Sequence, residues 1–574
     1  MQTRPTPLRG FLAVAVCAGF LASPVNTLAQ VVIAPPTPQI GSSNTVSADP
    51  AVKRPHGKPC TVQLFMNQPF ADFNTKTFGY APPAECPGPW TKVVFTADFT
   101  VTAGRQFDRT AQLFLGGANL YFGTTAEPRA TLSPSWHVER DVTDLSTLLK
   151  SSQAGTAILG NFVGVSGGVT YDGIIYANAQ LEFYPASFLE HGTRAADMVI
   201  GMPGNSGAAT LGTPNDQLSQ SVTLPMNVEA VYLDVIAQSQ SNDEFWYLCV
   251  PTDLANALQS CGNTGFRETE VTVDGRPAGV APVYPWIYTG GIDPFLWEPI
   301  PAVQTLNFKP YRLDLTPFAG VLSDGKAHTF AISVFNANGY FSVTGNLLIY
   351  LDHGAAKVTG AVLSDNLSAQ PSPEVVENVT VDSAGNASGP VTVTSTRNYS
   401  ISGYVDTSHG RVETTVSQKI SFNNTQNFTV NTNAYVQDLK QSTTFDSRTT
   451  TRKNALVTEE QRSFFYPLEI EYNQMTNADG SSSVLTVADQ KYLENEVNRV
   501  AGLEVLSVRT SNHVSSQDTL SFSAAGVRTG HTGNSSQIYV TRDSRGSCYS
   551  RALTSVDSVL TAYKDGTACH PDWD

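Results

Sequence analysis

Apolar and polar positions alternate with a period of two in several runs after residue 56, at 90–101, 111–122, 156–165 and 173–184. Gly and Pro turns separate them. A period of two sends successive side chains to opposite faces of an extended chain, so each run predicts a half-buried strand. The one helical stretch expected here is a turn or two at 141–150, with Asp141 as its cap. After a Gly-rich connection at 201–212 the same alternation returns at 222–228, 231–237, 270–273, 305–315, 328–334 and 347–352. Beyond residue 361 the chain turns to Ser, Thr, Asn and Val. Alternation at 391–396, 399–405, 411–417 and 427–435 predicts antiparallel strands with one solvated face. The expected fold class is therefore all-β: two adjacent jelly-roll-like β-sandwiches, at 56–200 and 201–360, followed by a further β-rich C-terminal domain at 361–574.

At 574 residues the chain is too long for one core. Residues 1–29 have Arg4 and Arg9, an apolar stretch at 11–22 and small residues at the end, which is the layout of a secretory signal. A secreted or periplasmic protein is expected. No other run reaches the roughly 18 apolar residues that span a bilayer, so no membrane association is expected after cleavage. Residues 30–55 are rich in Pro, Ser and Thr and read as a linker, with folded structure from about Pro55. Outside the signal stand Cys60, Cys86, Cys249, Cys261, Cys548 and Cys569, an even number for an oxidising compartment. Proximity along the chain suggests pairing each with the next, one of about fifteen possible connectivities. Without a CxxC or an HExxH spacing, no metal and no cofactor is expected. The net charge of −15, with no basic stripe, argues against a nucleic-acid partner and fits an acidic working environment. A monomer is expected.

Two acidic clusters could carry chemistry. Asp108 and Arg109 precede an alternating strand, at a strand mouth. The alternative is a surface ion pair at a strand end. Glu244 is followed by Phe245, Trp246 and Tyr247. A carboxyl among rings has its ionised form disfavoured, which makes it a credible acid; the bland reading is a loop acid beside core aromatics. A segment at 285–297 adds Trp286 and Trp297 around a Gly-Gly turn, either a stacking platform for sugars or filling under a loop. There is no GxSxG elbow, and paired cysteines would not serve as nucleophiles.

Several long motifs occur together and in order: QFDRTAQLFLGGANLYFGTTAEP at 106–128, WHVERDVT at 136–143, Leu159-Gly160-Asn161, NDEFWY at 242–247 and YTGGIDPFLWEPI at 288–300. In these the chain closely resembles the acidic peptide:N-glycosidases of the almond type, from about residue 60 to 352 and more loosely beyond. It is more distantly similar to the flavobacterial type of the same activity. The resemblance implies hydrolysis of the amide joining an asparagine side chain to the first N-acetylglucosamine of an N-glycan, with N-glycosylated proteins and glycopeptides as substrates and no cofactor. It implies Asp108, Arg109 and Glu244 as catalytic residues, and Asn161, Asp243, Trp246, Trp286 and Glu127 as substrate-binding ones. Asp108 would deprotonate water or polarise the amide, Arg109 would keep it ionised, and Glu244 would assist the leaving nitrogen. The flavobacterial type has a third acid, which falls near 159–163 here, where the chain has Asn161 instead. The alternatives are a glycoside hydrolase acting on the N-glycan core and a non-catalytic carbohydrate-binding β-sandwich.

Overall fold

The computed structural model describes residues 37–186, 194–204 and 207–566. The expected leader lies outside them. The chain is almost wholly β, as the alternation predicts. A first sandwich packs the sheet of Cys60–Phe70, Ile175–Pro185, Trp90–Val101 and Ser135–Asp141 against that of Lys76–Tyr80, Gln153–Leu159, Thr110–Leu115 and Ala118–Thr124. Inward residues of both sheets, among them Val93, Phe95, Phe99, Leu113, Leu115 and Phe183, form one core. The expected helical stretch is two 3-10 turns, Thr143–Leu145 and Leu148–Lys150. Val142, not the expected Asp141, is the cap residue of the first turn; Asp141 Oδ1 accepts the N–H of Thr143 at 3.0 Å from the position before it.

The second sandwich pairs Met198–Met202, Tyr340–Leu351, Val228–Gln240 and Tyr311–Asp314 in one sheet, with Ala209–Leu211 beside Tyr340–Leu351. Its other sheet holds Leu218–Thr223, Ala327–Phe335, Glu268–Val273 and Arg276–Pro282. Of the strand expected at 305–315, only Tyr311–Asp314 joins a ladder.

The C-terminal part is a single sheet of twelve strands, six of them 19 to 21 residues long, running from Ala387–Thr407 to Leu503–Phe522. Residues 427–435 are not one strand but a hairpin. Gly410–Val430 ends, the chain turns, and Ala434–Lys453 returns, because Asn431 Oδ1 accepts the N–H groups of Asn433 and Ala434 at 2.9 and 3.0 Å. One face of the sheet is solvated. The other has no core of its own: Tyr399, Phe422, Phe445, Phe464 and Tyr466 belong to the same cluster as Trp246, Tyr284 and Trp286 of the second sandwich. Ring centroids lie 4.9 Å apart at Tyr284 and Tyr466 and 5.1 Å at Tyr311 and Phe445.

The described part of the stretch expected as a linker runs along the body of the protein. Ala48 is fully buried, its N–H bonded to Gln537 at 2.7 Å and its carbonyl to the Tyr549 hydroxyl at 3.0 Å. The disulfides Cys60–Cys86 and Cys249–Cys261 are formed. The third expected pair involves Cys569, outside the described residues.

Candidate active site

Thr110–Leu115 and Ala118–Thr124 form a hairpin around Gly116 and Gly117, both at positive φ (55° and 84°), as a tight two-residue turn requires. A one-residue bulge follows between Leu113 and Phe114. Beyond the ladder, the Arg109 N–H donates to Thr125 Oγ1 at 2.8 Å and the Thr125 N–H to the Arg109 carbonyl at 2.9 Å. Asp108 and Glu127 thereby meet, and the Asp108 N–H donates to the Glu127 carboxylate.

Glu244 arrives from the second sandwich, on the 3-10 turn Ser241–Asp243 that ends Val228–Gln240. Two bridges set its distance from Asp108. Thr110 Oγ1 accepts from Gln238 Nε2 at 3.1 Å and Gln240 Nε2 at 3.2 Å. Thr289 Oγ1 donates to the Thr125 carbonyl at 2.8 Å. The loop that carries Thr289 also brings Gly290 against both acids: a Cβ there would lie 2.3 Å from Glu127 Oε2 and 2.5 Å from Asp108 Oδ1. Any side chain would fill the space between the carboxylates.

Three carboxyl groups share this groove. Burial, followed by the charges of Glu127 and Glu244, pushes Asp108 up to about 7. Burial also raises Glu127, opposed by Arg129, by the Asp108 N–H and by Arg109. Burial alone raises Glu244. The expectation that Arg109 holds Asp108 ionised is corrected: its charge acts in that direction, but burial and two neighbouring anions outweigh it. Arg109 Nη2 donates to Gln106 Oε1 at 2.5 Å, and its buried Nε–H has no partner among the described residues. Arg129 bridges Glu127 Oε1 at 3.2 Å and Glu298 Oε1 at 2.8 Å.

Four other expected binding residues, Asn161, Asp243, Trp246 and Trp286, are buried in the interior. Asn161 is fully buried and donates to the carbonyls of Phe70 and Gly173, both at 3.0 Å. It ties strand ends together; the third acid of the groove is Glu127. Asp243 is fully buried, with Oδ1 accepting from Arg267 Nε and Nη2 at 2.9 and 2.8 Å and Oδ2 from the Asn338 N–H at 2.7 Å. It anchors the Glu244 turn. Trp246 and Trp286 are 1% and 5% exposed, enclosed between the second sandwich and the long sheet, where Trp246 faces Phe422 and Trp286 faces Phe308. Their rings fill the core under the two loops.

Sequence reasoning missed Arg129 and the role of Gly290. It also missed a set of buried amides on the long sheet that hold the Glu244 loop by its backbone. Asn424 Nδ2 donates to the Tyr247 carbonyl at 2.7 Å, Gln437 Nε2 to Leu248 at 3.0 Å and Gln426 Nε2 to Cys249 at 3.0 Å. Spaced two apart, Asn424 and Gln426 share the inward face of their strand, which is the signal that could have marked them.

A cavity of about 1030 Å³ lies under the 37–53 segment and is lined by none of Asp108, Glu127 and Glu244. It is the space between a crossing segment and the two sandwiches. The groove that gathers three carboxyl groups raised by burial is the better chemical site.

A groove between two β-sandwiches that gathers three carboxyl groups, each raised by burial above its ordinary value, holds the kind of groups that a hydrolase working by general acid–base transfer needs. Two family descriptions match the chain: "Peptide N-acetyl-beta-D-glucosaminyl asparaginase amidase A" over residues 49–368 and "PNGase_A C-terminal domain" over 390–468. Peptide-N4-(N-acetyl-beta-glucosaminyl)asparagine amidase A of Prunus dulcis is 33% identical over 418 residues, which cover 68% of this chain and 70% of that protein. The chain belongs to the peptide N-acetyl-beta-D-glucosaminyl asparaginase amidase A family and is a peptide:N-glycanase, an amidohydrolase. Among solved structures, PNGase F of Flavobacterium meningosepticum is 12% identical with a TM-score of 0.33, covering 51% of this chain and 96% of that one. PNGF-II is 12% identical with a TM-score of 0.36, covering 52% and 66%.

Proposed function

We propose that this peptide:N-glycanase is exported, works in the acidic range, and cleaves the asparagine amide of N-glycosylated proteins and glycopeptides with Asp108 as proton donor and Glu244 as proton acceptor. These roles reverse those expected from the sequence. The observation that carries the reading is the convergence of Asp108, Glu127 and Glu244 in one groove, each raised by burial and Asp108 also by the charges of the other two. Below pH 7 the most strongly shifted acid, Asp108, holds a proton. Burial raises Glu244 without the opposing arginine that Glu127 has in Arg129, and its carboxylate serves as the acceptor. Arg129 and the Asp108 N–H favour the anion of Glu127, which orients Asp108.

In the reaction, Glu244 takes a proton from water as its oxygen bonds to the amide carbon. The Arg109 Nε–H is available to the oxyanion that forms. The carbon–nitrogen bond then breaks as Asp108 protonates the nitrogen, leaving an aspartate in the peptide and a glycosylamine on the glycan. General acid and base groups contribute about 10²–10⁴-fold each, so Asp108→Asn and Glu244→Gln are each expected to lose at least the lower figure in glycan release. Peptide mass after digestion of a glycopeptide reads the bond cleaved: asparagine converted to aspartate for the amidase, a retained sugar for a glycoside hydrolase. Release at the wild-type rate by either variant would end the assignment. The two disulfides and the signal-like leader support export.

A further inference from the structure

A second recess, about 600 Å³, opens where the two site loops meet the long C-terminal sheet. Phe245, next to Glu244, and Ile292, two residues beyond Gly290, form one wall; the turn at 431–433, with Tyr435, Tyr472 and Gln474, forms the other. Phe245 lines the recess and lies close enough to Gly291 that a Cβ there would sit 3.2 Å from its ring. Ile292 holds a φ of 65°, an outlier for a β-branched residue. Such strain persists where the surroundings over-determine a conformation and is concentrated at ligand sites.

The chemistry of the walls selects the occupant. In a chain of net charge −15, no described residue lining this recess is charged. It presents side-chain amides and hydroxyls beside aromatic rings, with Tyr435 and Tyr472 edge to face at 5.8 Å. Neutral donors and acceptors flanking ring faces match a carbohydrate, whose hydroxyls are uncharged and whose C–H faces stack on rings. A peptide segment, variable in charge, is matched less well.

We infer that this recess, built jointly by the Glu244 loop and the C-terminal sheet, is a subsite for the outer sugars of the N-glycan, beyond the chitobiose whose amide is cut. The inference rests on the peptide:N-glycanase reading above. Two glycopeptides with one peptide sequence test it, one bearing chitobiose alone and the other a full oligomannose glycan, compared on the full-length wild type and on Tyr472→Ala/Gln474→Ala. The ratio of kcat/KM, full glycan over chitobiose, is expected to fall about tenfold in the variant, the scale of one lost stacking contact. An unchanged ratio overturns the subsite, whether both rates fall together or neither does. A loss that instead follows peptide length assigns the recess to peptide and overturns it equally. Calorimetric titration with the free oligomannose-chitobiose oligosaccharide provides the second readout, with weaker binding expected in the variant and equal binding overturning the subsite. If the wild type releases neither glycan, the activity reading fails, while the titration still decides the recess. Equal thermal midpoints of variant and wild type confirm an intact fold.

Discussion

Asp108 is the acid whose proton the groove holds most firmly, because burial and the neighbouring charges of Glu127 and Glu244 all raise the cost of ionising it. As a proton donor, Asp108 works in its neutral form, so activity is present below its folded pKa and is lost as pH rises through about 7. The charge of Glu127 is the second-largest cause of that elevation, after burial. Glu127→Gln removes the charge, ionisation of Asp108 becomes easier, and its pKa falls. The high-pH limb of the kcat/KM profile, which reports the free enzyme, is therefore expected to move to lower pH in this variant. A limb that stays in place or moves up would exclude Asp108 as the donor, whatever the absolute rate.

At the scale of elements, the groove depends on one hairpin and one anchored turn, unequally legible in the sequence. The Gly116-Gly117 pair marks a two-residue turn, and counting back along both strands already brings residue 108 opposite residue 125 or 126. Glu127 was thus within one bulge of being found as the third acid. The alternation also made the strands of both sandwiches legible. It could not separate one long strand from two meeting at a turn, as at 427–435, since polar Asn fits both the solvated face and the hairpin. Nor could it say which side of their loops Trp246 and Trp286 face. The anchored turn owes its position to the Asp243–Arg267 pair, both fully buried at the side chain, with Arg267 Nη1 also donating to the carbonyls of Asn263, Thr264 and Phe266. Removing one partner leaves a buried charge unpaired, at a cost of about 3–5 kcal/mol. Arg267→Met is expected to lower stability by that amount in chemical denaturation and to reduce glycan release as Glu244 loses its seat. A loss below about 1 kcal/mol, the level of an exposed pair, would show that the Cys249–Cys261 disulfide holds the loop without it.

For the whole molecule, the question is whether the long sheet is an appendage or part of the catalytic body. Its inward aromatic residues and those of the second sandwich form one continuous core, so neither side has an independent apolar interior at this junction. Its amides also satisfy backbone carbonyls of both site loops: Asn424, Gln426 and Gln437 those of 247–249, and Gln490 Nε2 that of Pro285 at 2.7 Å. Left unpaired and buried, each such group would cost about 1–3 kcal/mol. A chain ending at residue 368, the limit of the first family match, would uncover Trp246, Phe266, Tyr284 and Tyr311 while stripping those carbonyls of their partners. Exposed apolar area on that scale drives association. The truncated chain is expected to be recovered largely as aggregate, its soluble fraction lacking the near-ultraviolet circular dichroism of fixed aromatic rings and releasing no glycan. A soluble truncated protein with the native aromatic signal and full activity would show that the two sandwiches set their loops unaided, and that the sheet serves only substrates that reach beyond the groove.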